Sequence, residues 1–311
     1  MKNGLRTWDG ATVVITGAAS GFGRAFAETL AKRGANLVLS DIQRAKLEDT
    51  VTAIEEAGGK ARGVVLDVRD KGACADLVEN AFALEGRLDY VFANAGIGVF
   101  GETHLLEDKE WDAVIDVNVW GVVHVVRPAY RKMVAQGFGH IVNTASLAGL
   151  VQSPFLAPYA LTKHAVVGLS KTMRVEAASK GVRVSALCPG AVRTPILSES
   201  QLGGSIYDIT AERMLAWWKR IGPIMELEDF TREALAAIEK NEGIIVLPRR
   251  NVGLHKLLSL LPQAAGEKIA QKIYEDSLRH FPELARGRAA TIVRDATTAR
   301  APRAVQASES S

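Results

Sequence analysis

Only two cysteines occur among 311 residues, Cys74 and Cys188, and they form no Cys-x-x-Cys pair. A disulfide scaffold and a thiolate zinc site are thereby excluded, and no metal is expected; the pattern fits a reducing compartment. Ten prolines and 28 glycines are too few for a collagen-like or low-complexity chain. No run approaches the roughly 18 apolar residues of a membrane-spanning helix. Met1–Asp9 lacks the apolar stretch of a secretory signal, so a cytoplasmic location is expected. A basic surplus on the body of the protein is also missing. The net charge is +3, yet the stretch 285–311 alone holds Arg286, Arg288, Arg294, Arg300 and Arg303 against Asp295 and Glu309. The rest is balanced, which speaks against a nucleic-acid partner. The stretch itself, rich in Ala, Arg, Ser and Thr, is expected to be disordered.

What is present is 48% hydrophobic residues, enough to bury a sizeable core, arranged in two alternating patterns. Thr12–Thr16, Asn36–Ser40, Ala61–Leu66, Leu88–Ala93, His140–Thr144, Arg183–Leu187 and Gly243–Leu247 are short apolar runs bounded by Gly, Asp, Asn or Pro. Each reads as a buried strand. Between them lie helical patterns such as Arg24–Arg33, Arg44–Ala57, Gly72–Leu84, Lys109–Ala135 and Tyr159–Ser179. This alternation predicts an α/β fold, a doubly wound parallel sheet of about seven strands covered on both faces. Residues 8–250 are expected to form one domain, 251–284 a helical extension. In such a sheet, ligands bind beyond the carboxyl ends of the strands.

The first strand ends in Thr16-Gly17-Ala18-Ala19-Ser20-Gly21-Phe22-Gly23, and a helix follows at once. Glycines there let backbone approach a pyrophosphate, and the helix N-terminus offers that anion unpaired N–H groups. The second strand ends at Asp41. A carboxylate at that point either accepts the adenosine ribose hydroxyls and repels a 2′-phosphate, favouring NAD over NADP, or merely caps the next helix. Asp67 and Val68 end the third strand, where Asp67 either meets the adenine edge or caps a helix. Asn94-Ala95-Gly96 follows the fourth strand; the glycine lets backbone pass the cofactor, while Asn94 either touches it or pins neighbouring strands.

Ser146 stands at the carboxyl edge of the fifth strand, and Tyr159 and Lys163 lie four apart at the start of a long helix. That spacing puts both on one helix face. A phenol of pKa ~10 is a poor base at neutral pH, and a neighbouring ammonium is expected to lower it toward use.

With these residues assembled, the chain resembles the short-chain dehydrogenase/reductase family over about residues 8–250. The marks are Thr16-Gly17-x-x-x-Gly21-x-Gly23, Asn94-Ala95-Gly96, Asn118, Ser146, Tyr159-x-x-x-Lys163 and Pro189-Gly190 with Thr194. The resemblance implies a Rossmann-type fold and an NAD-dependent oxidoreductase acting on a secondary alcohol or ketone. Tyr159 would exchange the proton, Ser146 would position the substrate oxygen, and Lys163 would hold the nicotinamide ribose and lower the Tyr159 pKa. Asn118 would keep a proton-relaying water, although a helix-packing hydrogen bond is the plainer reading of that residue. Pro189, Gly190, Val192 and Thr194 would contact the nicotinamide end. The family's usual Asn before Asn94 is Ala93 here, and about sixty residues follow Pro248, beyond the reach of the resemblance. A non-catalytic dinucleotide sensor of the same fold and an NADP-dependent carbonyl reductase are the alternatives.

Three further expectations follow. Trp120, Val122, Val125, Val126, Val166, Val167 and Leu169 exceed what one buried face needs, and the resembling family pairs these two helices between subunits, so a homodimer or homotetramer is expected. The apolar segment 195–225 is expected to act as a lid, which argues for a bulky apolar alcohol or ketone. Leu254, Leu257, Leu258 and Leu261 form one helical stripe, and Ile269 and Ile273 begin another. These helices either dock on their own subunit, narrow the pocket over the lid, or, through Arg249, Arg250 and Lys256, rest on a membrane surface.

Overall fold

The computed structural model describes residues 4–194, 207, 209–222, 224–253 and 263–286. Seven strands build one sheet: β1 (Thr12–Thr16), β2 (Asn36–Asp41), β3 (Lys60–Val65), β4 (Tyr90–Ala93), β5 (Gly139–Thr144), β6 (Val182–Pro189) and β7 (Ile244–Leu247). All pairings are parallel and the order is β3-β2-β1-β4-β5-β6-β7. The expected doubly wound sheet is therefore present, and its switch in strand order falls between β1 and β4.

Successive strand residues point to opposite faces, and the core divides accordingly. Val13, Ile15, Leu37 and Leu39 join one cluster, whereas Val14 and Val38 join the other. The first face is covered by α1 (Gly21–Ala31), with Phe26 and Leu30 buried, and by α2 (Arg44–Glu56), with Leu47 and Ile54 buried. The second is covered by α3 (Lys71–Glu85) through Leu77 and Val78. Asp70 caps α3 by accepting from the Ala73 N–H at 2.9 Å, and Gly86 ends it at φ 65°, a conformation that glycine adopts without penalty.

The single helix expected over Lys109–Ala135 is instead two. α4 (Asp108–Ile115) passes through one π turn, Asp116–Trp120, into α5 (Gly121–Gln136). Such π turns widen a helix locally and recur at functional sites, and Asn118 sits at the centre of this one. α6 (Ala157–Ala178) carries Pro158 in its first turn, where the missing N–H costs nothing. Val122, Val125, Val126, Val166 and Val167 are buried in the chain's own core, and Leu169 packs against it; Trp120, Leu161 and Val175 remain exposed. Most of the apolar surplus on these helices is thus absorbed by the sheet.

Beyond β6 come α7 (Ala211–Ile221), α8 (Leu227–Glu239), absent from the sequence reading, and α9 (Gln263–His280), closed by a 3₁₀ turn at Pro282–Arg286. Phe230, Ala234, Leu235 and Ile238 of α8 fill the first core cluster beside α1. α7 and α9 together build a third cluster at the carboxyl end of the sheet. Residues 195–206 of the expected lid, the Leu254–Leu261 stripe, Lys256 and 287–311 lie outside the described residues. The membrane reading of the extension loses one cation, since Arg249 pairs with Glu242 at 2.7 Å. Among the described residues no helix is long and apolar enough to cross a membrane.

Candidate active site

The turn after β1 is shaped by contacts that leave no room for a side chain. Gly17 has φ 67°, and a Cβ there would stand 2.8 Å from the Ala95 Cα; a Cβ on Gly23 would stand 2.0 Å from the Gly17 carbonyl oxygen. Gly21 (φ 52°) opens α1. The Ser20 side chain makes no cap bond and the first turn holds no acid, so the positive helix end is left to an anion. Phe22 instead points into the core, 4.3 Å from the Phe230 ring centroid. Such a backbone-lined cradle fits the pyrophosphate of a dinucleotide.

Asp41 is buried beside this loop. Its carboxylate accepts from the Ala19 N–H at 3.0 Å and the Gln43 N–H at 2.9 Å, so it ties β2 to the phosphate turn as well as to the start of α2. Asp67 does not cap α3, a task Asp70 performs; its carboxylate is gripped by Arg69 through the backbone N–H and Nε, at 2.8 to 3.0 Å, and Nη2. Burial would raise the Asp67 pKa, but those Arg69 bonds outweigh it and hold the group below its ordinary value. Val68 is core, wedged where a Cβ on Gly121 would meet it at 2.6 Å. Asn94 pins strands: its amide donates to the Thr16 and Gly17 carbonyls at 3.1 and 3.2 Å, and its Oδ1 accepts from Thr144 at 3.1 Å. The Asn94 and Ala95 N–H groups both donate to Thr16 Oγ1.

Gly96 brings the loop after β4 over Asn118 and Lys163, its absent Cβ lying 3.2 Å from Asn118 Oδ1 and 3.4 Å from Lys163 Nζ. Asn118 is fully buried; it accepts from the Ile97 N–H at 2.9 Å and donates to the Ile97 carbonyl at 2.7 Å and Thr162 Oγ1 at 3.1 Å. Both amide hydrogens are used in bonds that tie the loop after β4 to α6. Lys163, 3% exposed, donates to the Thr144 carbonyl at 2.8 Å, with its Nζ 5.4 Å from the centroid of the Tyr159 ring. Ser146 accepts from the Ala148 N–H at 3.1 Å and donates to the Pro189 carbonyl at 3.5 Å, and it lies beside the Tyr159 hydroxyl, whose pKa it draws down. The three residues singled out by spacing are brought together.

Their electrostatics differ from expectation in one respect. Burial pushes the Tyr159 hydroxyl above the ordinary phenol value, with Ser146 pulling it back; the expected lowering by Lys163 is not what governs it. The physical reason is that burial acts on the lysine too, depressing its pKa to about 8, and its ammonium points at a carbonyl rather than at the phenol oxygen. Cys188, at the end of β6, is pushed up to about 12 by burial and is a neutral thiol. Beyond it, Gly190 donates to the Leu247 carbonyl at 2.7 Å, Val192 pairs with Met225 as a short bridge, and Thr194 is buried. Thr16, which opens the glycine motif, anchors Asn94 and Ala95, whereas Thr144 and Thr162, which anchor Lys163 and Asn118, carry no mark in the sequence beyond their places at a strand end and beside Lys163.

Residues 11–203 match the family model for short chain dehydrogenases. An oxidoreductase of Escherichia coli (strain K12), UcpA, is 41% identical over 188 residues, covering 60% of this chain and 71% of that one. The D-beta-hydroxybutyrate dehydrogenase of Rhizobium meliloti (strain 1021) is 38% identical over 192 residues, covering 60% and 74%. The crystal structure of a short-chain dehydrogenase/reductase from Burkholderia phymatum, solved in complex with NAD, superposes with a TM-score of 0.72 at 34% identity, covering 81% of this chain and 94% of that one. A seven-stranded parallel sheet, a glycine-built phosphate turn and a Ser–Tyr–Lys group thus agree with sequence likeness over more than half the chain: it belongs to the short-chain dehydrogenase/reductase family.

Proposed function

We propose that this oxidoreductase interconverts a secondary alcohol and a ketone with NAD as its preferred cofactor. The observation that carries the reading is the convergence of Ser146, Tyr159 and the buried Lys163, whose Nζ lies 5.4 Å from the Tyr159 ring centroid. When bound, NAD or NADH supplies the hydride chemistry at the carbinol carbon. The chain supplies the rest. The loop Gly17–Gly23 and the start of α1 hold the pyrophosphate, with Ser20 and Phe22 lending backbone. Asp41 faces the adenosine ribose, and Asp67 with Val68 borders the adenine. Asn94, Ala95 and Gly96 form a floor, and Pro189, Gly190, Val192 and Thr194 border the nicotinamide end. In reduction, Ser146 holds the carbonyl oxygen and Tyr159, kept protonated by burial, gives it a proton; the phenolate left behind is offset by the Lys163 ammonium. Oxidation reverses the transfer, Tyr159 taking the hydroxyl proton. Asn118 works by position, fixing Ile97 and the residue beside Lys163.

An apolar substrate is the reading favoured by the neighbourhood of Tyr159. Its ring packs on the edge of a cluster that includes Phe155, Leu156, Met214 and Trp217, a wall suited to an apolar group rather than a charged one. Exposed Trp120, Leu161 and Val175 on the π turn and α6 favour a homodimer or homotetramer built on those faces, in a cytoplasmic setting. Rates of NAD reduction with propan-2-ol, cyclohexanol, 1-tetralol and D-3-hydroxybutyrate test the proposal. The highest kcat/KM is expected for 1-tetralol. Preference for hydroxybutyrate, or no turnover with any of them, would overturn it.

A further inference from the structure

The residue four before Tyr159 is under backbone strain. Phe155 has φ 66°, a left-handed conformation that a bulky side chain adopts only when its surroundings enforce it. What enforces it is a clamp of two rings and one backbone bond. The Phe155 ring stacks on Phe100 at 5.2 Å between centroids and on Tyr274 at 5.1 Å, and its carbonyl accepts from the Gly101 N–H at 2.8 Å.

One jaw of this clamp comes from α9, outside the 11–203 segment that matches the family model. The Tyr274 hydroxyl donates to the Glu102 carboxylate, and the Glu102 N–H donates to the Tyr207 hydroxyl at 3.1 Å. The loop after β4, Tyr207 and α9 therefore meet at Glu102. The turn that closes α9 is fastened to α7, where Arg213 pairs with Glu283 and the Trp217 and Phe281 rings lie 5.9 Å apart. The buried cluster so formed receives the Tyr159 ring on its edge.

We propose that Tyr274 is a positioning residue that sets substrate size. It holds Phe155 against Phe100, and the turn so held forms the apolar wall beside Tyr159. The proposal rests on the reading of Tyr159 as the proton donor, and it gives the C-terminal helix a part in specificity.

The test uses the full chain. In Tyr274→Ala, the ratio of kcat/KM for 1-tetralol to that for propan-2-ol should fall about tenfold or more, through KM for the large alcohol, while propan-2-ol stays within about twofold. Tyr274→Phe keeps the ring and should retain the ratio within about threefold. Because Tyr274 acts through Phe155, adding Tyr274→Ala to Phe155→Gly, a residue at ease at this φ, should change the ratio by less than about twofold. Hydrogen exchange reads the clamp without turnover: the Ser153, Phe155, Leu156 and Ala157 amides should exchange about tenfold faster in Tyr274→Ala and near the wild-type rate in Tyr274→Phe. A uniform loss with both alcohols, a tenfold or greater fall with Tyr274→Phe, an unchanged ratio, additive effects with Phe155→Gly, or unaltered exchange would overturn it. If Tyr159→Phe retained activity, the proton-donor reading would fail while the exchange result still stood.

Discussion

At the carboxyl end of β1 the chain leaves no space for side chains, whereas at the ends of β5 and β6 it fills the space with them. Gly17 and Gly23 are set by backbone contacts of 2.8 and 2.0 Å measured from an absent Cβ. On the other side, Phe100, Phe155, Trp217, Tyr274 and Phe281 interlock ring against ring. A dinucleotide is the same molecule in every enzyme that uses it, so a backbone cradle serves without variation. A substrate differs from enzyme to enzyme, and only side chains can be exchanged to suit it.

The contrast can be broken at its backbone side most severely. Gly23→Ala drives a methyl into the Gly17 carbonyl, and we expect dinucleotide affinity to fall about a hundredfold or more, because that turn cannot widen without moving α1. Titration of NADH by fluorescence checks it; binding within threefold of wild type would show that the cradle yields. A smaller effect is expected at Asp41, where charge rather than space decides. Asp41→Ala should narrow the advantage of NAD over NADP in kcat/KM by about 10- to 100-fold, since the carboxylate repels a 2′-phosphate. A wild type that prefers NADP would show that the tie from Asp41 to Ala19 and Gln43 is its whole role.

The smallest effect concerns acid, and it belongs to the sheet rather than to either ligand side. His140, in β5, is fully buried against Ser185 at 2.9 Å, and burial depresses its pKa to about 3, with Arg183 and Arg174 adding to the effect. Unfolded, the same histidine takes a proton near pH 6.5. Between those values the unfolded chain binds more protons, so stability falls as pH drops from about 6.5 toward 3, by about 1.4 kcal/mol per pH unit from this group. In His140→Asn that part of the slope should vanish in denaturant titrations run across the window. An identical slope in both proteins would assign acid sensitivity to the carboxylates.

The same contrast explains what was legible in the sequence. The strands showed because residues such as Val13, Val14 and Ile15 are buried on alternating faces and must all be apolar. The phosphate turn showed because glycine is the only residue those contacts admit. Ser146, Tyr159 and Lys163 showed because helix geometry fixes an i, i+4 pair on one face. The π turn at Asn118 did not show, since its extra residue per turn leaves the apolar period nearly unchanged. The left-handed Phe155 was hidden for a different reason: nothing in a phenylalanine announces φ 66°, and the rings that impose it lie 55 and 119 residues away. The upward shift of Tyr159 is not legible either, because burial is a property of the folded cluster and not of the spacing between Tyr159 and Lys163.

In the division of labour we propose, Tyr159 exchanges the proton while a separate, backbone-built cradle holds the cofactor. Tyr159→Phe keeps the ring on its cluster and removes only the hydroxyl, so steady-state turnover and NADH affinity measured on that one variant separate the two sides. We expect a fall in kcat of about a thousandfold, in the range of a lost general acid–base group, with the NADH Kd within about threefold of wild type. Turnover near the wild-type rate, or NADH binding lost along with it, would contradict the account.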